Sequence, residues 1–173
     1  MKKILSYVLI LSAVLATTAC GWHLRGQQSI SGVDSVHVSS GDSGTAFAQE
    51  LKYHLKRQGV ELKANAPEAR YSVVVLKQKS ERRVASVGAS ARATEYLLVE
   101  TVEFLVLDPA GQQLLPATTL RAERSLDFDE NQVIGKNDEA ALIQTELRND
   151  LVRQLSRRLQ HLNPAAAAAD NEG

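Results

Sequence analysis

The chain has a single cysteine, Cys20, and that scarcity excludes an internal disulfide framework. Aromatic residues make up only 5% of the sequence, so a core must be assembled chiefly from Val, Leu and Ala. Lys and Arg together number 20, matched by 20 Asp and Glu. That balance argues against a nucleic-acid protein, which would show a strong basic excess. No apolar run approaches the ~20 residues that a membrane-crossing helix needs, and no internal repeat is visible. The histidines His23, His37, His54 and His161 are scattered without metal-ligand spacing. Glu50 and His54 lie one helical turn apart, but two ligands are too few for a zinc site. No nucleophile elbow, phosphate-binding glycine loop or paired-carboxylate signature occurs. The reading is therefore a non-enzyme with no catalytic residue, no metal and no cofactor.

What is present begins at the N-terminus. Lys2 and Lys3 precede residues 4–16, which are apolar apart from Ser6, Tyr7 and Ser12, and Thr17-Thr18-Ala19 then leads into Cys20. The short apolar stretch reads as an export signal. An unpaired cysteine at its junction resembles a bacterial lipoprotein signal, with residues 1–19 removed and Cys20 acylated, although Thr17 stands where such signals usually carry Leu. About three acyl chains, at ~0.8 kcal/mol per buried methylene, hold far more firmly than one. Gly21 is not the Asp that often retains lipoproteins at the inner membrane, so the outer membrane is expected. Loss of Lys2 and Lys3 with the signal leaves the remainder two units negative.

The rest divides into a linker (20–32), one domain (33–163) and a disordered tail (164–173) of Pro164, five alanines and polar residues. A short strand is expected at 34–39. Ser43 offers an N-cap for a helix over 45–58, where Phe47, Leu51 and Leu55 recur at i+4, and Gly59 provides the stop. Residues 71–77 read as the second strand and 94–107 as the third. Asp108-Pro109-Ala110-Gly111 is a turn leading to a fourth strand, with Leu120, Ala122, Leu126 and Phe128 on one parity and Arg121, Glu123, Ser125 and Asp127 on the other. Arg124 is the exception on the apolar side. The last helix carries Ile143, Leu147, Leu151, Leu155, Leu159 and Leu162, capped by Asn137 or Asp138. The order β-α-β-β-β-α implies an α+β two-layer sandwich, with a mixed sheet of about four strands and two amphipathic helices on one face.

Residues 77–94 read as a long connection rich in bases (Lys77, Lys79, Arg82, Arg83, Arg92) with a lone acid, Glu81, and many small residues. A connection of that length usually has a function or is disordered, and its basic side chains could meet phosphates. Lys136 stands just ahead of the last helix.

Cys20-Gly21-Trp22-His23-Leu24-Arg25-Gly26 is similar to the start of the mature chain in the LptE family of lipopolysaccharide-assembly lipoproteins. Gln58-Gly59-Val60-Glu61-Leu62, Ala85-Ser86-Val87 with Thr94-Glu95-Tyr96, and Gly135-Lys136-Asn137-Asp138-Glu139 agree with it. The resemblance implies an outer-membrane lipoprotein, facing the periplasm, that plugs the lumen of the β-barrel LptD in a one-to-one complex. It further implies assistance in assembling that barrel and direct binding of lipopolysaccharide. The family's basic positions fall on Lys136 and near Ala85-Ser86-Val87, where Gly88-Ala89 replace an aromatic-basic pair. Arg92, or Arg82 and Arg83, are the expected substitutes. Arg121 and Glu123, on the polar sheet face, are expected barrel contacts. Two other readings stay open: a barrel-independent envelope lipoprotein that binds a lipid or other envelope component, and a small envelope hydrolase using Ser86 or His54.

Overall fold

The computed structural model describes residues 32–41, 44–89, 92–128 and 133–162. Cys20, the signal, most of the linker, Ser43 and the tail lie outside the described residues. β1 (Ser35–Ser40) is followed by helix α1 (Ala46–Arg57), then β2 (Glu61–Leu62) and a 3-10 turn (Ala66–Glu68). Three long strands come next, β3 (Tyr71–Val87), β4 (Ala93–Leu107) and β5 (Gln113–Asp127), and the 29-residue helix α2 (Val133–His161) completes the domain. The sheet order is β2-β1-β3-β4-β5. β1 runs parallel to β2 and β3, while β3, β4 and β5 are antiparallel. The mixed sheet therefore has five strands, the two-residue β2 being too short to show a period in the sequence.

Both helices cover one face of the sheet. α1 buries Phe47, Ala48, Leu51 and Leu55. Thr45 caps it by accepting from the Ala48 N–H at 3.2 Å, two positions beyond the Ser43 that the sequence suggested. Its other end closes in a Schellman arrangement, with Gly59 N–H donating to Lys56 O and Val60 N–H to Leu55 O, both at 3.1 Å. Gly59 reaches φ +79° there, a conformation glycine adopts without a Cβ penalty. α2 lays Ala140, Ile143, Leu147, Leu151, Leu155 and Leu159 on the sheet, and the buried Tyr71 hydroxyl donates to Leu162 O at 2.6 Å just past its end. Each such leucine contributes about 1.5–3 kcal/mol by burial.

Two further expectations are corrected. The connection over 77–94 is almost wholly strand: β3 and β4 stay paired from Ser72↔Leu107 to Val87↔Ala93, leaving a short turn. Its alternation was hidden because most of its side chains on both parities are polar; the backbone pairing with the β-branched, aromatic-rich β4 makes it a strand nonetheless. α2 begins at Val133, so Lys136, Asn137 and Asp138 lie inside the helix rather than ahead of it. β5 begins at Gln113 and passes through Pro116, which an edge strand tolerates. The turn between β4 and β5 is as expected, with Gly111 N–H on Asp108 O at 3.0 Å and Asp108 Oδ1 accepting from Gln112 N–H.

The core divides in two. The larger cluster joins β1, β3, β4, α1 and the C-terminal half of α2, and the smaller comprises Leu98, Leu126, Ala140, Ile143 and Leu147. Between Leu98 and Val102, on the same face of β4, stands Glu100 with no exposed surface. Gln78 Nε2 donates to its Oε1 at 2.6 Å, Ser80 Oγ donates to its Oε2, and Arg148 Nε lies 3.6 Å from Oε1. Gln78 Oε1 in turn accepts the Phe47 N–H at 3.0 Å, so the same polar belt holds the start of α1.

Candidate functional site

Strand pairing gives the domain two ends. At one, Val87 and Ala93 flank the β3–β4 turn, with Asp127 and the start of α2 close by; at the other stand Ser35, Tyr71, Gly59 and Leu162. The sequence-derived basic residues concentrate at the first end.

Arg82 is the best-defined of them. A bulge after Val75 resets the alternation of β3, so that Gln78, Ser80 and Arg82 follow one another on the helix-covered face. The Arg82 guanidinium carbon lies 3.8 Å from the Tyr96 ring centre and 5.4 Å from that of Phe128. Tyr96 and Phe128 meet edge to face, 5.1 Å apart at 82°. Arg82 Nη1 also donates to Asn137 Oδ1 at 3.4 Å. A guanidinium stacked on one ring still directs N–H groups outward in its own plane, which suits an anionic oxygen pair. Lys136, the neighbour of Asn137 in α2, pairs through Nζ with Glu139 Oε2 at 2.9 Å.

Arg82 and the Lys136 turn are thus brought together, but the other candidates stand elsewhere. Arg83, adjacent in the strand, points to the uncovered face and pairs with Glu81 Oε2 at 2.8 Å, while Lys79 takes Glu81 Oε1 at 2.8 Å. The hydrogen bond from Lys79, and then Arg83, hold the Glu81 carboxyl below its ordinary pKa. Arg92 lies in the turn itself, its carbonyl accepting the Gly88 N–H at 2.8 Å. Arg121 and Glu123 pair with each other at 2.5 Å on the uncovered face of β5. Arg124, the odd residue on the apolar parity, is explained by an ion pair with Glu146 of α2. Ser86 is engaged by Thr94 Oγ1 at 2.9 Å, far along the hairpin from His54 on α1, so the two do not form a catalytic pair.

Tyr96, Phe128 and Asn137 were missed from the sequence as partners of Arg82. Their positions are separated by tens of residues, and only the strand register, with its bulge, brings them to one face.

Comparison with known proteins accords with this architecture. The LPS-assembly lipoprotein LptE of Pectobacterium atrosepticum is 26% identical, over 87% of this chain and 82% of the relative. That of Photorhabdus laumondii is 29% identical, over 85% and 80%. Among solved structures, lipoprotein B of Nitrosomonas europaea matches with a TM-score of 0.70 at 23% identity, covering 81% of this chain and 90% of that one. Rare lipoprotein B of Shewanella oneidensis matches with a TM-score of 0.64 at 19% identity, covering 80% and 99%. These two show the same fold. The profile of the LptE family, described as Lipopolysaccharide-assembly, matches residues 33–159, the whole of the sheet and nearly all of both helices. The chain belongs to the LptE family and has its role in lipopolysaccharide assembly.

Proposed function

We propose that this protein is an outer-membrane lipoprotein that occupies the lumen of the β-barrel LptD, assists that barrel's assembly and binds lipopolysaccharide through the end carrying Arg82 and Lys136. The observation that carries the binding reading is Arg82. It is an exposed guanidinium fixed between Tyr96, Phe128 and Asn137, with an ammonium one residue along the helix. Phosphates are met by such a fork in two parallel charge-assisted bonds. The aromatic support limits the side-chain entropy lost on binding.

The plug reading draws on the sheet. Its uncovered face carries Lys77, Lys79, Glu81, Arg83, Glu103, Arg121 and Glu123, a mixed polar surface rather than a second core. Such a surface suits a polar barrel lumen. The hydrolase reading has no nucleophile–base pair among the two residues proposed for it.

The test of lipopolysaccharide binding uses the acylated protein in detergent, passed over immobilised lipopolysaccharide. Arg82→Glu combined with Lys136→Glu is expected to reduce retention at least tenfold, since each charge-assisted contact is worth about 1.5–3 kcal/mol. Unchanged retention by the double variant, with an unaltered unfolding midpoint, would sink the assignment.

A further inference from the structure

The opposite end of the domain carries a second basic feature that lipopolysaccharide binding at Arg82 does not use. The last turns of α1 and α2 flank a cleft of about 300 Å³ lined by His54, Gln58, Arg153, Ser156, Arg157 and Gln160. No acid is among the lining residues. Over residues 51–58 and 151–162 the two helices contain Lys52, Lys56, Arg57, Arg153, Arg157 and Arg158 without a single Asp or Glu. Complementing the helix dipoles explains only part of this, because that effect fades within the last turn. Lys52 and Arg153 lie beyond it.

The cationic groups of the lining are the arginines. Arg153 has Asp150 as an ion-pair partner on its own helix, and the Arg157 side chain, one turn further on, is exposed. Gln58 Oε1 is buried with no hydrogen-bond partner among the described residues. Turning that amide presents its N–H₂ at the same spot, the two placements being alike in shape. Ser156 Oγ donates its proton to Val152 O at 2.8 Å, which leaves the anion to the arginines and the Gln58 amide. Burial first, then Arg153 and Arg57, hold the His54 pKa below its usual value, with Glu50 opposing. An anion in the cleft would relieve the repulsion that His54 meets on protonation. Next to His54 in α1, Tyr53 is 59% exposed, with the Arg57 guanidinium 5.6 Å from its ring centre. An exposed aromatic beside bases is the pairing found where proteins meet headgroups.

Position identifies the source of the anion. Gly32, where the described chain enters the domain, leads into β1 at this same end. It lies twelve positions after Cys20, a tether that spans at most ~43 Å. Once Cys20 is acylated, this end is kept within that reach of the membrane surface. We infer that the cleft between the C-terminal turns of α1 and α2 binds the phosphate of anionic phospholipid headgroups, seating this end of the domain on the leaflet that holds its anchor.

The test uses the acylated protein carrying Ala64→Cys, an exposed position just past β2 and outside the cleft lining, where the introduced thiol is the only one left to label. A fluorophore there is read against vesicles containing a headgroup spin label. Vesicles with phosphatidylglycerol should quench it strongly and neutral phosphatidylcholine vesicles weakly, and 1 M salt, with a Debye length of about 3 Å, should erase the difference. Arg153→Gln with Arg157→Gln should shift the docked equilibrium roughly 30-fold toward the undocked state, with its thermal unfolding unchanged. Equal quenching on both vesicles, a difference that survives 1 M salt, or a variant that quenches like the parent would overturn the inference. Quenching by vesicles bearing lipopolysaccharide but not by those with phosphatidylglycerol would also overturn it. Arg82→Glu with Lys136→Glu should leave this signal untouched, so failure here and failure of lipopolysaccharide binding are separable.

Discussion

Glu100 is the residue on which the two halves of the core depend. Its carboxylate is fully buried between the two apolar clusters and is held by Gln78, Ser80 and the nearby Arg148. Removing it strands three polar partners at once. Glu100→Ala should therefore destabilise the fold by about 3–5 kcal/mol, seen as a large fall in the urea midpoint. A loss below about 1 kcal/mol would mean that water replaces the carboxylate at little cost. Nothing in the sequence singled Glu100 out, because an acid among apolar strand residues looks the same whether it faces water or helix. The same blindness hid the Arg82 site: its basic character was legible, but the rings that fix it were not. Lys136 was legible by resemblance, although its place inside the helix was not.

At the level of elements, periodicity was a good guide wherever one face is buried. α1, the body of α2 and the alternating half of β5 all carry apolar positions at regular spacing, and they fold as that spacing indicates. It failed for the distal half of β3, where both faces are polar and the strand is held by its partner's backbone. It failed again at the start of α2, whose first turn begins ahead of the residues that look like caps. Glycine was more reliable. Gly59 stops α1 as expected, with open space around the position a Cβ would take. Gly59→Ala should thus cost about 1–2 kcal/mol through backbone conformation alone, measurable by chemical denaturation. A neutral effect would show that the turn relaxes to a right-handed ending.

Taken whole, the domain is a polar-faced sheet under two helices, with different chemistry at its ends. One end offers Arg82 on an aromatic support beside Lys136, and the other a basic cleft near the point where the linker enters. No helix among the described residues is long and apolar enough to cross a membrane. Under the proposed function, an acyl anchor at Cys20 has a mechanical role: confining the domain to a surface raises its local concentration at a membrane partner without adding a contact. Under that proposal, one end is directed into the barrel lumen and the other rests at the leaflet. The most direct test is the native mass of the complex that the acylated protein forms when extracted from membranes in mild detergent. One copy of this chain with one large β-barrel is expected, carrying lipopolysaccharide that the Arg82→Glu, Lys136→Glu variant loses while keeping the barrel. A chain that emerges alone, with no barrel bound, would contradict that expectation.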